Sequence, residues 1–101
     1  MKNNIKAETA ARFVAAGASE CDAEILADSL VTADAYGVTS HGTRLAEAHI
    51  SKIEKGGYNL SPSFKLIRET AAFAVIDGDN AIGPVSATYS GNYGIEKARE
   101  S

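Results

Sequence analysis

The pair Gly56-Gly57 divides the chain into two textures, and no single regular element can run through it. Glycine loses more backbone freedom on ordering than any other residue, so two in succession stop a helical run. Before the pair, apolar residues recur at spacings of three and four, the period of helices that bury one face. After it, Asn59-Leu60-Ser61-Pro62-Ser63 reads as a loop, followed by short stretches rich in strand formers. The fold class that follows is α+β and predominantly helical, with three amino-terminal helices, a short strand pair and a carboxy-terminal helix. We read residues 1–101 as a single module, helical over 1–57, with 58–101 the start of an α/β part.

The first helix is expected from Ile5 to Ala16, with Ala7, Ala10, Ala11, Val14 and Ala15 as its apolar stripe and Glu8 paired to Arg12. Gly17 ends it, and Ser19 or Asp22 caps the next. The second helix runs from about Ala23 to Tyr36, its stripe Leu26, Leu30 and Ala33 beside Ile25 and Ser29, closed by Gly37. Ser40 or Thr43 caps a third helix reaching Lys55, with Leu45, Ala48, Ile50 and Ile53 as apolar positions. Residues 64–76 form an antiparallel pair, and Asp77-Gly78-Asp79-Asn80 is a turn. Gly83-Pro84 opens a final helix, which Gly91 and Gly94 each weaken by about 1 kcal/mol against alanine. That helical pattern is still running at Ser101, and two strands alone are marginal in water. Both features lead us to expect the leading piece of something larger.

Composition narrows the function classes. A net charge of −3 with ten scattered basic residues leaves no electrostatic footprint for nucleic acid. One cysteine, Cys21, allows neither an internal disulfide nor a cysteine-based metal site. No stretch approaches the roughly 18–20 apolar residues of a membrane helix, and the amino terminus lacks an apolar signal core, so a cytoplasmic chain is expected.

Chemistry concentrates in Ser40-His41-Gly42-Thr43-Arg44. An imidazole titrates near neutral pH and can act as general acid or base, while a guanidinium binds carboxylates. Spacing alone leaves His41 as either a proton carrier or a loop histidine bonded to a carbonyl. It leaves Ser40 as orienter or cap, and Arg44 as anion binder or solvated side chain. Ser40 and His41 are adjacent, so a serine nucleophile activated by histidine would need a second imidazole. A metal site built from His41, His49 and Asp34 is a third, weaker reading, because the histidine spacing of eight suits no shared ion.

The ordered set of residues carries a resemblance. Ala33-Asp34-x-x-Gly37-Val38-x-Ser40-His41-Gly42 is similar to the signature of the non-Rossmann malate/L-lactate dehydrogenase family, which includes ureidoglycolate and sulfolactate dehydrogenases. Gly56-Gly57, Glu69-Thr70, the run Ala74-Val75-Ile76-Asp77-Gly78-Asp79-Asn80, Gly83 and Ile95-Glu96-Lys97-Ala98 agree in order and spacing, from about residue 5 to 101. The resemblance implies hydride transfer between NAD or NADP and a 2-hydroxy or 2-oxo acid such as malate or lactate. It implies His41 as catalytic acid/base, with Ser40 supporting it. His49 stands where many members carry a tyrosine of the substrate pocket, and Arg44 one residue before an arginine often found there. Both are accordingly expected to bind substrate. The family's main nicotinamide-binding segments lie beyond the matched part, so the chain alone is expected to hold no cofactor tightly and to be inactive. A homodimer is the expected assembly, with neither nucleic acid nor membrane as partner. The alternative is a non-catalytic helical interaction or dimerisation module.

Overall fold

In a computed structural model, residues 2–100 are described, with side chains from Ile5 onward. Four α-helices, two short 3-10 turns and two strands follow in the order α1 (Lys2–Ala16), α2 (Glu20–Ala35), α3 (Ala46–Glu54), β1 (Lys65–Glu69), β2 (Ala74–Asp77) and α4 (Gly83–Glu100). The 3-10 turns, Thr39–His41 and Thr43–Leu45, lie between α2 and α3. The predicted α+β architecture is present in the predicted order.

α1 packs on α2 and α3, and α2 also carries α4. The core they enclose is Phe13, Ala18, Ala23, Leu26, Ala27, Leu30, Ala46, Ile53, Ile82 and Val85. The face of α1 differs from the expected stripe. Ala7, Ala11, Val14 and Ala15 are exposed, while Phe13 is fully buried and Thr9 lies beside it with its hydroxyl donating to Ile5 O at 2.7 Å. Alanines are spread all round this helix and select no face; one phenyl ring buries far more area than several methyls and decides the rotation. Arg12 likewise pairs with Glu47 of α3 rather than with Glu8, tying two helices together instead of two turns of one.

The helix ends follow the sequence closely. Ser19 caps α2, its Oγ accepting from Asp22 N at 3.1 Å. Gly17 and Gly56 close α1 and α3. The third helix starts later than expected, at Ala46, because the preceding residues coil into the two tighter turns and no side chain caps it.

β1 and β2 pair antiparallel, Lys65 with Asp77 and Glu69 with Ala74, and Ile67 is an extra residue between the pairs Leu66–Ile76 and Arg68–Val75. Such a bulge kinks the strand. The expected turn after β2 forms with Asp79 and Asn80 in the left-handed region, φ 51° and 55°. It is bolted to the loop after α3, where Asp79 Oδ2 accepts from Asn59 Nδ2 at 2.8 Å and from Ser63 N at 2.9 Å. α4 is continuous through Gly91 and Gly94.

Candidate active site

The site begins with the way α2 stops. Gly37, at φ 79°, sits in the left-handed region, so its N–H can reach back to Asp34 O at 3.0 Å and Val38 N to Ala33 O at 2.9 Å. This pair of reversed bonds is the usual glycine-terminated helix end. The chain then coils through Thr39-Ser40-His41, with His41 N donating to Val38 O and Gly42 N to Thr39 O, each at 3.1 Å. Gly42 is extended, and a second turn, Thr43–Leu45, leads into α3.

Ser40 and His41 are brought together. Ser40 Oγ lies 3.0 Å from His41 Nδ1, and both side chains are exposed. The contact leaves Nε2 as the ring atom facing outward chemistry. With Nδ1 donating its proton to Oγ, Nε2 holds a lone pair and the neutral ring is a base; once Nε2 takes up a proton the ring is an imidazolium, and Nε2–H is the acid that returns it. Arg44 is exposed in the second turn, next to Thr43 in sequence.

His49 stands apart from this pair. It is half-buried on α3, where its Nδ1 lies 2.9 Å from the Tyr58 hydroxyl and its ring meets the edge of Phe13 at a centroid distance of 6.4 Å. Burial, helped by the Lys52 charge, holds its pKa below the ordinary value. Lys52 Nζ in turn lies 4.4 Å from the centre of the Tyr58 ring, and burial raises the Tyr58 pKa. The structure therefore places Ser40, His41 and Arg44 on one short stretch and His49 in the α1–α3 packing.

Asp34 is the neighbour that spacing did not reveal as part of this site. Its Oδ2 accepts from Thr43 Oγ1 at 2.6 Å and from Thr43 N at 3.1 Å. The Thr43 hydroxyl foremost, and its amide second, hold the Asp34 pKa below the usual carboxylate value. Thr43 thus does not cap α3; its hydroxyl is turned back onto α2. The sequence signal was present in the form of an aspartate in the last turn of one helix and a Gly-Thr at the mouth of the next. Neither helical nor strand periodicity couples positions nine apart across a turn.

Among the described residues, no three His, Cys, Asp or Glu side chains are grouped to hold a metal ion. Asp34 is engaged by Thr43 and His49 by Tyr58, so the triad His41, His49 and Asp34 is not assembled. The segment between β2 and α4 is the one strand-turn-helix among the described residues, the context in which a dinucleotide phosphate is held. Its turn carries the Asp77 and Asp79 carboxylates, the latter already bonded to Asn59 and Ser63, which suits no pyrophosphate. The residues present therefore do not fit a nicotinamide dinucleotide at that turn. No helix among the described residues is long and apolar enough to cross a membrane.

Comparison with known proteins places this geometry. The sequence model of the malate/L-lactate dehydrogenase family matches residues 2–101. A malate dehydrogenase from Pyrococcus horikoshii is 42% identical over 85 residues, covering 84% of this chain and 24% of that protein. The L-sulfolactate dehydrogenase of Methanocaldococcus jannaschii is 40% identical over 83 residues, covering 82% of this chain and 24% of that protein. The solved structure of the Pyrococcus horikoshii malate dehydrogenase superposes with a TM-score of 0.94 at 37% identity, covering 99% of this chain and 29% of that one. The chain spans about a quarter of the length of the curated relatives it matches. With the family model matched over residues 2–101 and the fold shared over 99% of the chain, the chain belongs to the malate/L-lactate dehydrogenase family.

Proposed function

We propose that the chain carries the proton-transfer part of an NAD(P)-dependent oxidoreductase acting on a 2-hydroxy or 2-oxo acid such as malate or lactate. The observation that carries this reading is the Ser40–His41 contact, 3.0 Å from Oγ to Nδ1, in a chain of this family. Oxidising a 2-hydroxy acid removes a proton from the hydroxyl and a hydride from the carbon. His41 takes the proton at Nε2, with Nδ1–H donated to Ser40 Oγ; in the reverse direction Nε2 returns it. Ser40 orients the ring and keeps Nε2 turned outward. Arg44, exposed one turn on, offers a planar fork to the substrate carboxylate. His49 is assigned to the wall of the substrate site, with Nε2 the atom left for a ligand because Nδ1 meets Tyr58. The cofactor, NAD or NADP, belongs in this reading to the length of the relatives that this chain does not cover. The 101-residue chain alone is therefore inactive, and the extended enzyme works as a homodimer.

The test is a fluorescence titration with NADH and an assay with pyruvate or oxaloacetate, on this chain and on a polypeptide extended to the length of the relatives. Binding and turnover in the extended form only, abolished by His41→Ala, is the expected result. An extended form that binds no nicotinamide overturns the reading. It would favour the second one, a non-catalytic interaction or dimerisation module, which draws on the exposed apolar side chains Leu66, Ile67, Phe73 and Val75 of the hairpin.

A further inference from the structure

We infer that Asp34, working against the bare backbone of Gly42, is the positioning residue of His41: it ties the two ends of the α2–α3 link and so sets where the imidazole stands. The inference rests on the proton-transfer role of His41 for its functional meaning, but not for its structural content.

The link has little else to fix it. Residues 35–41 are all exposed, Tyr36 at 81% and Val38 at 47%, so no apolar anchor pins the segment to the core. Its own turn bonds, such as His41 N to Val38 O, shape each turn but do not set one turn against the other. A loop whose ends are free samples many arrangements, and closing it removes that freedom. Asp34 makes the closure. It stands in the last turn of α2, and both donors of Thr43, on the far side of Ser40 and His41, converge on one of its oxygens. Charge-assisted bonds of this kind are stronger than neutral ones.

Gly42 supplies a second, independent sign. Its φ of −97° is one that any residue adopts, so backbone conformation does not call for glycine here. Space does. A Cβ at Gly42 would overlap the Asp34 carboxylate, with Asp34 Cγ 2.5 Å away. Gly42 is buried although residues 35–41 before it are exposed, and the Asp34 carboxylate lies across it. The aspartate reaches Thr43 only by crossing the place where a side chain would have stood. Acceptor, donor and missing side chain form one latch, and the residue it immobilises is the one directly before Gly42, His41.

The experiment uses the chain as it is, with labelled histidine. His41 and His49 are its only histidines, so each ring gives its own nuclear magnetic resonance signals. Contact between the Ser40 methylene and the His41 ring, read as a nuclear Overhauser effect, reports the positioned state. The signals of His49, packed on Phe13 and Tyr58, report the intact fold. Asp34→Ala and Gly42→Ala are expected to abolish the Ser40–His41 contact and leave His49 unchanged, and the double variant to look like either single one. Thr43→Val, which keeps the amide bond but removes the hydroxyl, is expected to weaken the contact, and Thr43→Ser to restore it. Should Asp34→Ala unfold the chain, the Thr43 pair decides, since it alters a single hydroxyl. An unchanged Ser40–His41 contact in Asp34→Ala, or movement of both histidines together in Thr43→Val, overturns the inference. None of these readouts needs turnover, so they stay decisive even if the oxidoreductase reading fails.

Discussion

The helical half and the hairpin hold themselves together by different means. In the helices, apolar side chains go inward: Phe13, Ala23, Leu26 and Ala27 have no exposed surface at all. In the hairpin most stay out: every residue of β1 is exposed, with Ile67 at 65%, and β2 covers only Ala74 and Ile76 in part. What steadies the strands is a set of directional contacts to α4. Tyr93 donates its hydroxyl to Glu69, Lys97 Nζ lies 3.3 Å from the same carboxylate, and Phe64 stacks on Tyr89 at 4.3 Å. Burial is non-directional and tolerant of small displacements; a hydroxyl-to-carboxylate bond is neither. The candidate site resembles the hairpin in this respect, being exposed and tied by hydrogen bonds, but it is mounted on the ends of two helices that the core fixes.

The sharpest way to break the comparison is to cut matched apolar side chains from both regions. Phe13→Ala should cost about 3–5 kcal/mol, a large share of the roughly 5–15 kcal/mol that domains of this size possess. Ile67→Ala should change stability by no more than about 0.5 kcal/mol, because the side chain is already in water. Urea denaturation followed by circular dichroism measures both. Similar losses at the two positions would mean that the hairpin has a core of its own.

A smaller effect sharpens the contrast. Tyr93→Phe keeps the ring and removes the hydroxyl that meets Glu69. Amide hydrogen exchange should quicken in Lys65–Glu69 and Ala74–Asp77 and remain unaltered in α2, since local opening follows the contacts that hold each unit. Uniform quickening would show the two regions opening as one.

The sequence disclosed these regions unequally, and the reasons are physical. Helix ends were legible because Gly17, Gly37, Gly56 and the Ser19 cap act within a few residues of themselves. The hairpin and its Asp77–Asn80 turn were legible for the same reason. The face of α1 was misread, because a count of alanines outvoted one phenylalanine, whereas burial weighs area. The pairing of Ser40 with His41 could be read from adjacency. The tie from Asp34 to Thr43 could not, nor could the meeting of His49 with Tyr58 across Gly56-Gly57. The first depends on the angle at which α2 leaves and α3 begins, the second on the path of the loop that follows α3. The two 3-10 turns between α2 and α3, closed by bonds such as His41 N to Val38 O and Leu45 N to Gly42 O, are too short to carry a periodicity.

The mildest perturbation is acid, and it should reach the two regions in sequence. His49 is depressed from its ordinary value of 6.5, first by burial and then by Lys52. A depressed group binds its proton less readily when folded, so unfolding takes protons up and stability falls as pH falls. The His49 contribution is complete above about pH 6.5 and is lost as pH drops through the folded value. Glu69 is depressed from 4.5, chiefly by the Tyr93 hydroxyl and further by Lys97, while partial desolvation works the other way. Its contribution is complete above that ordinary value and is lost only at lower pH. Tyr93, raised to about 12 by the same carboxylate, stays protonated throughout this range. Acidification from pH 7 should therefore loosen the α1–α3 packing around His49 first and free the β1–α4 tie second. A pH series of amide exchange, read separately for α3 and β1, displays the order. His49→Phe should flatten the first step and leave the second in place; a hairpin that opens above pH 6 would reverse the assignment of which region each charge protects.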